Sequence, residues 1–164
     1  MRKGDAAMAD RVQALADVAK ERGIRIGLAE SLTCGLLASS IGKGSDAENW
    51  FAGGVVAYQT EVKESVLGLT PGTDPCSAAC AEQLAAGVGA LLEVDVAVST
   101  TGVGGPDPQD GHEPGTVYLG WSTAAGEGHR RYAFDGDPER VLEQTVDAAI
   151  DLLEELVTGM PRAT

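Results

Sequence analysis

Three short segments of this chain combine residue types that can do chemistry. In Ala29-Glu30-Ser31-Leu32-Thr33-Cys34-Gly35 a hydroxyl follows a predicted strand and precedes a predicted helix. Such a turn sits at the C-terminal edge of a sheet, where α/β folds form their clefts. Main-chain amides at the start of the helix can face a developing oxyanion or a phosphate. The arrangement is that of a nucleophile elbow without the G-x-S-x-G glycines. The same residues also suit a purely structural task, because either Ser31 or Thr33 has N-cap chemistry.

The second segment is Tyr58-Gln59-Thr60-Glu61-Val62-Lys63, which runs from a strand end into the first turn of a helix. A desolvated lysine gives up its proton and can act as a base, whereas a solvated one is only a surface charge. The third is Thr100-Thr101-Gly102-Val103-Gly104-Gly105-Pro106-Asp107, directly after the most apolar predicted strand. Glycines there let amides approach a ligand closely, or simply build a tight loop. The segment matches neither a Walker loop nor G-x-G-x-x-G.

The remaining reactive residue types are scattered. His112 and His129 are isolated, and a Ser-His-Asp triad needs one of them at the cleft. No cluster has metal-ligand spacing, so no metal is expected. The cysteines, Cys34, Cys76 and Cys80, are odd in number, which argues against a disulfide framework. At least two of them read as small buried apolar residues.

The elements that must position these groups follow from periodicity. Helices are expected over 6–22, from the Ser31 turn to Ile41, over 61–67, 77–92 and 137–156. Strands are expected over 24–29, 53–58, 94–99, 116–122 and 129–134, the last two as a hairpin. Alternating helices and apolar strands predict an α/β protein, a three-layer α/β/α sandwich with a mixed, mostly parallel sheet. One domain is expected over 1–164, with its core at about 8–157.

Composition narrows the function classes. Hydrophobic residues make up 43 % and charged residues 23 %, an ordinary globular mix. The balance of 12 Lys+Arg against 25 Asp+Glu gives a formal charge of −13, which repels nucleic acid and anionic lipid. No apolar stretch approaches a membrane span, and no signal core follows the basic N-terminus, so the cytoplasm is the expected location. Trp50 and Phe51 are scarce large aromatics. They read either as core or as anchors of a homo-oligomer, with a dimer favoured.

AESLTCGLLASSI, WFAGGVVAYQTEVKESVLGL and STTGVGGPD followed by PGTVYLGW together resemble the C-terminal domain of competence/damage-inducible protein A. That domain also occurs alone as nicotinamide-nucleotide amidase, and the resemblance covers roughly residues 8–157. It implies an amidohydrolase that converts nicotinamide mononucleotide to nicotinate mononucleotide and ammonia without a cofactor. It further implies Ser31 as nucleophile, Lys63 as base and Tyr58 as a proton relay or orienting group. Glu30, Thr33, Gly35, Thr60, Thr101, Gly102 and Gly105 match motif positions around the small-molecule nucleotide. The chain departs from the family pattern at Cys34, where glycine is common, at Thr60, where asparagine is usual, and at Pro138, where arginine is usual. Arg140, one turn along, is the expected substitute for that guanidinium at the phosphate. Two other readings remain: a nucleotide-binding module without turnover, and a serine amidase for a different carboxamide.

Overall fold

The computed structural model describes residues 3–162. Its helices are α1 (Lys3–Arg22), α2 (Leu36–Ile41), α3 (Thr60–Leu67), α4 (Ala78–Leu92) and α5 (Pro138–Gly159). Its strands are β1 (Ile26–Glu30), β2 (Phe51–Val56), β3 (Val96–Gly102), β4 (Thr116–Thr123) and β5 (Gly126–Ala133). The strands form one sheet in the order β2-β1-β3-β4-β5. β1 pairs in parallel with both β2 and β3, while β3–β4 and β4–β5 are antiparallel. Only β4 therefore runs against the other four strands, so the mixed α/β sandwich expected from the pattern is the fold.

Residue alternation along the strands decides which helices cover which face. Ile26, Leu28, Val96, Val98, Val117 and Leu119 pack with Val12, Leu15 and Ala19 of α1, Leu37 and Ile41 of α2, and Val141, Ala149 and Leu153 of α5. The opposite face presents Ala29 and Ala97 to Leu67 at the end of α3 and to Cys80, Leu84 and Val88 of α4. β1 and β3 are buried along nearly their whole length, as central strands covered on both sides must be.

Three boundaries beside the reactive segments differ from the sequence expectation, and for Trp50 one of two open readings is decided. β2 starts two residues earlier than expected and ends at Val56, which leaves Tyr58 beyond the strand. β3 continues to Gly102 because Thr100 to Gly102 still pair with β4. α2 begins only at Leu36, with Gly35 in the left-handed region at φ 96 as its N-cap, so neither Ser31 nor Thr33 caps it. Trp50 is a core residue, 1 % exposed, with its indole N–H donated to the Ser45 carbonyl at 3.0 Å, so it cannot anchor an oligomer.

Small residues set how closely α4 lies on the sheet. A Cβ on Gly120 would stand 2.1 Å from the Ala81 carbonyl oxygen, and the Ser99 hydroxyl already donates to that oxygen at 2.6 Å. Main chain, not a flexible side chain, blocks any larger residue there. Gly120→Ala should therefore push α4 off the sheet and cost about 2 kcal/mol or more. Urea denaturation would measure it; a change below about 0.5 kcal/mol would contradict this packing.

Candidate active site

The C-terminal ends of β1 and β3 meet the N-terminal turns of α3 and α5 and the segment before α4 around a cleft of about 370 Å³. Ser31, Tyr58, Thr60, Lys63, Thr101, Gly102 and Gly105 line it, together with Pro75, Cys76, Asp107, Asp110 and Leu142. The three sequence segments thus converge on one space. A groove of about 820 Å³ between α1, α2 and α5 is larger, but none of the reactive residues named above lines it except Arg140.

The Ser31 turn is fixed by contacts on both sides of the sheet. Parallel pairing sets Glu30 opposite Thr100, and the Ser31 amide extends the pairing by donating to the Thr100 carbonyl at 3.0 Å. Glu30, 1 % exposed, points to the opposite face from Ala29, towards α2. Its carboxylate accepts from the amides of Leu37 at 2.9 Å and Ala38 at 3.0 Å. A carboxylate at a helix N-terminus is favoured by the dipole and by the free donors there. It also occupies the amides that an oxyanion would have used. Thr33 and Thr100, both fully buried, share a hydroxyl–hydroxyl hydrogen bond of 2.7 Å. Cys34 adopts φ 46, a left-handed conformation that costs a side-chain-bearing residue about 1–2 kcal/mol. Glycine adopts it freely.

Ser31 is 8 % exposed, lines the cleft, and its hydroxyl has no partner among the described residues. Lys63 is 2 % exposed, with Nζ donating to the Tyr58 carbonyl at 2.7 Å. Burial pushes its ammonium below the ordinary lysine range, and the neighbouring Cys80 opposes that only in part. Tyr58 contributes this carbonyl from inside, while its side chain is 65 % exposed at the rim. Cys76 is the other nucleophile type in the cleft. Burial and the Asp74 charge raise its thiol to about 11, against a smaller opposing effect of Arg131, so it stays protonated and inert near neutrality.

The third segment forms the far wall. Gly102 at φ 152 lies against the start of β4, where a Cβ would be 2.4 Å from the Thr116 carbonyl oxygen. Thr101, 1 % exposed, donates its hydroxyl to the Pro75 carbonyl and so ties β3 to the segment before α4.

Several expected substrate contacts are engaged elsewhere. Glu30 and Thr33 face the interior, and Gly35 caps α2. The Thr101 hydroxyl is spent on Pro75, although the residue borders the cleft. Arg140 lies in the larger groove, half exposed and paired with Glu143 at 3.2 Å, and it does not line the cleft. Pro138 itself lines the cleft, in the first turn of α5 behind an Asp137 cap that accepts from the Arg140 amide at 2.9 Å. His112 and His129 pair with Asp74 and Glu82, each at 2.7 Å, and neither lines the cleft. Cys76 and Asp110 were missed in the sequence, since nothing local marks a residue brought in by a distant loop. Asp107, within the third segment, was visible but carried no assigned role.

Two outcomes follow from this geometry. Glu30→Ala strands two buried amides and should cost about 2–3 kcal/mol in thermal or urea unfolding, with activity falling further than stability explains. An aromatic disulfide reagent at pH 8 should titrate Cys34 alone in the folded protein and all three thiols in urea, because Cys76 and Cys80 are buried. Rapid native reaction of more than one thiol would contradict that burial.

Comparison with known proteins agrees with the fold. The CinA C-terminal domain profile matches residues 8–157. A competence-damage inducible protein of Bacillus subtilis is 43 % identical over 129 residues, 76 % of this chain and 31 % of that protein. A CinA-like protein of Frankia casuarinae is 35 % identical over 147 residues, 87 % of this chain and 34 % of its own length. The chain thus spans about a third of these relatives. Crystal structures of CinA superfamily proteins from Klebsiella pneumoniae and Escherichia coli both superpose with a TM-score of 0.88. Their identities are 29 % and 27 %; the first likeness covers 93 % of this chain and 99 % of the other, the second 95 % and 93 %. No helix among the described residues is long and apolar enough to cross a membrane.

Proposed function

The chain belongs to the CinA C-terminal domain family, and from that premise we propose that its cleft is the active site of a Ser-Lys amidohydrolase acting on nicotinamide mononucleotide. One observation carries the reading: a buried lysine of lowered pKa and a partner-free serine hydroxyl line the same cleft. A module that only held a nucleotide gains most from a lysine kept charged for the phosphate, whereas burial here favours the uncharged form that a base needs.

The residue chemistry gives a balanced route. Neutral Lys63 takes the Ser31 proton as Oγ bonds to the carboxamide carbon. The main-chain amides of Leu32 and Gly104, at the two walls of the cleft, have no acceptor among the described residues and are the oxyanion donors. Lys63 then returns the proton to the leaving nitrogen, and the C–N bond breaks to release ammonia. Water, deprotonated by the same lysine, cleaves the Ser31 ester to the pyridine carboxylate and restores the serine. The Tyr58 carbonyl holds Nζ in place throughout. The Tyr58 ring stands at the rim, where it can cover bound substrate.

Ammonia release from nicotinamide mononucleotide tests this reading. Wild type should turn over, and Ser31→Ala should lose at least about a thousandfold in kcat with its fold intact. Lys63→Met should lose about a hundredfold or more. Because the base is the deprotonated lysine, kcat/KM should rise with pH and level off below the ordinary lysine range. A flat profile between pH 6 and 9, or full activity in Ser31→Ala, would overturn the assignment.

A further inference from the structure

The two edges of the sheet are built differently. β5, at one end, carries Glu127, His129, Arg130 and Arg131, the kind of residues that keep an open edge solvated. β2, at the other end, pairs with β1 alone among the described residues, so one row of its N–H and C=O groups has no strand partner. No charged residue and no proline occurs from Asn49 to Thr60. Ala52, Gly54 and Val56 are exposed at alternate positions along the strand. An edge of this composition is a template for a further strand. Exposed apolar side chains gather at the same place. Leu36, Val56, Tyr58 and Val66 are four of the five exposed large hydrophobics among the described residues. Leu36 begins α2 and Val66 lies on α3, the helices on the two faces beside β2. A Cβ on Gly35, next to Leu36, would stand 3.8 Å from Val56. Scattered singly, such residues need no explanation, but gathered around an open strand they mark an interface.

Charge then selects the occupant. A chain of net charge −13 repels acidic surfaces wherever charges face each other, and a basic partner finds no carboxylate on this strand to meet. The matching surface is a second strand edge that is itself uncharged and apolar. A second copy supplies it by symmetry, since a two-fold axis sets one surface against itself. We propose that β2 is the self-association edge of this protein, with two copies pairing antiparallel about Gly54 to join their five-stranded sheets into one continuous sheet. Gly54 leaves the centre of the seam free of side chains, and Ala52 of one copy falls opposite Val56 of the other. Leu36 and Val66 are covered on the two faces of the seam. The proposal stands apart from the amidase reading and does not rest on it. It has a consequence for the cleft, because Tyr58 follows Val56 by two residues and stands at the cleft rim. The second copy therefore lies beside the mouth of each cleft.

Sedimentation equilibrium tests the assignment. The wild-type chain should show twice the mass of one copy, and a monomer at every accessible concentration overturns the proposal. Ala52→Lys/Val56→Lys puts like charges opposite each other across the seam and should raise the dimer Kd at least about a hundredfold. Ala52→Glu/Val56→Glu should do the same. Mixing the two variants should restore a dimer with one chain of each, which a merely misfolded variant cannot do. Glu127→Lys, on the opposite edge, should leave the wild-type mass unchanged. A dimer that survives in each double variant alone, or two folded variants that fail to associate on mixing, shows that another surface is used and overturns the proposal. Amide hydrogen exchange gives a readout that needs no variant. Exchange in segment 51–57 of the wild type should slow as protein concentration rises through the dimer Kd, and a rate independent of concentration contradicts a covered β2.

Discussion

The Glu30 carboxylate, held by the Leu37 and Ala38 amides, is the contact from which the geometry of the site follows. β1 must end at Glu30 so that this side chain leaves the sheet on the α2 face. The chain must then cross the strand end within a few residues before α2 begins, through Cys34 and Gly35 in left-handed conformations. Ser31 falls at the start of that crossing, tied by its amide to Thr100. Its side chain opens on the cleft because the residue before it is committed inward. A buried charged cap is an expensive way to start a six-residue helix. It makes sense where the turn before that helix has to be held in one place.

The second constraint is electrostatic. A chain of net charge −13 has few cations to spare, and those on the surface are largely spent on neighbouring carboxylates, as with Arg11, Arg130 and Arg140. Lys63 differs from them in being withdrawn from water, with its Nζ held by a carbonyl instead of a carboxylate. A carboxylate partner would have kept it charged, and so useless as a base near neutrality. The carbonyl of Tyr58 orients the nitrogen without that penalty.

Much of the framework was legible because it is encoded locally. Met8, Val12, Leu15 and Ala19 announced the inner face of α1, and Val141, Thr145, Ala148 and Leu152 that of α5. The glycine-rich run after β3 announced a loop that only glycine at positions such as Gly102 can follow. The three reactive segments were found because each sits at a predicted strand end, and a parallel arrangement gathers such ends on one edge of the sheet.

What local pattern could not carry was side-chain direction. The sequence by itself determined the order of elements, their apolar faces, and the presence of Ser31, Tyr58 and Lys63 at adjacent strand ends, because periodicity and turn chemistry act over a few residues. Only the tertiary structure decided that Glu30 rather than Ser31 starts α2, and that Thr33 bonds to Thr100 across 67 positions. It likewise decided that Arg140 faces another groove, and that Asp110 and Cys76 border the cleft. Each of these depends on strand register and on loops closing over long separations. A shift of one residue in either exchanges the cleft for the core.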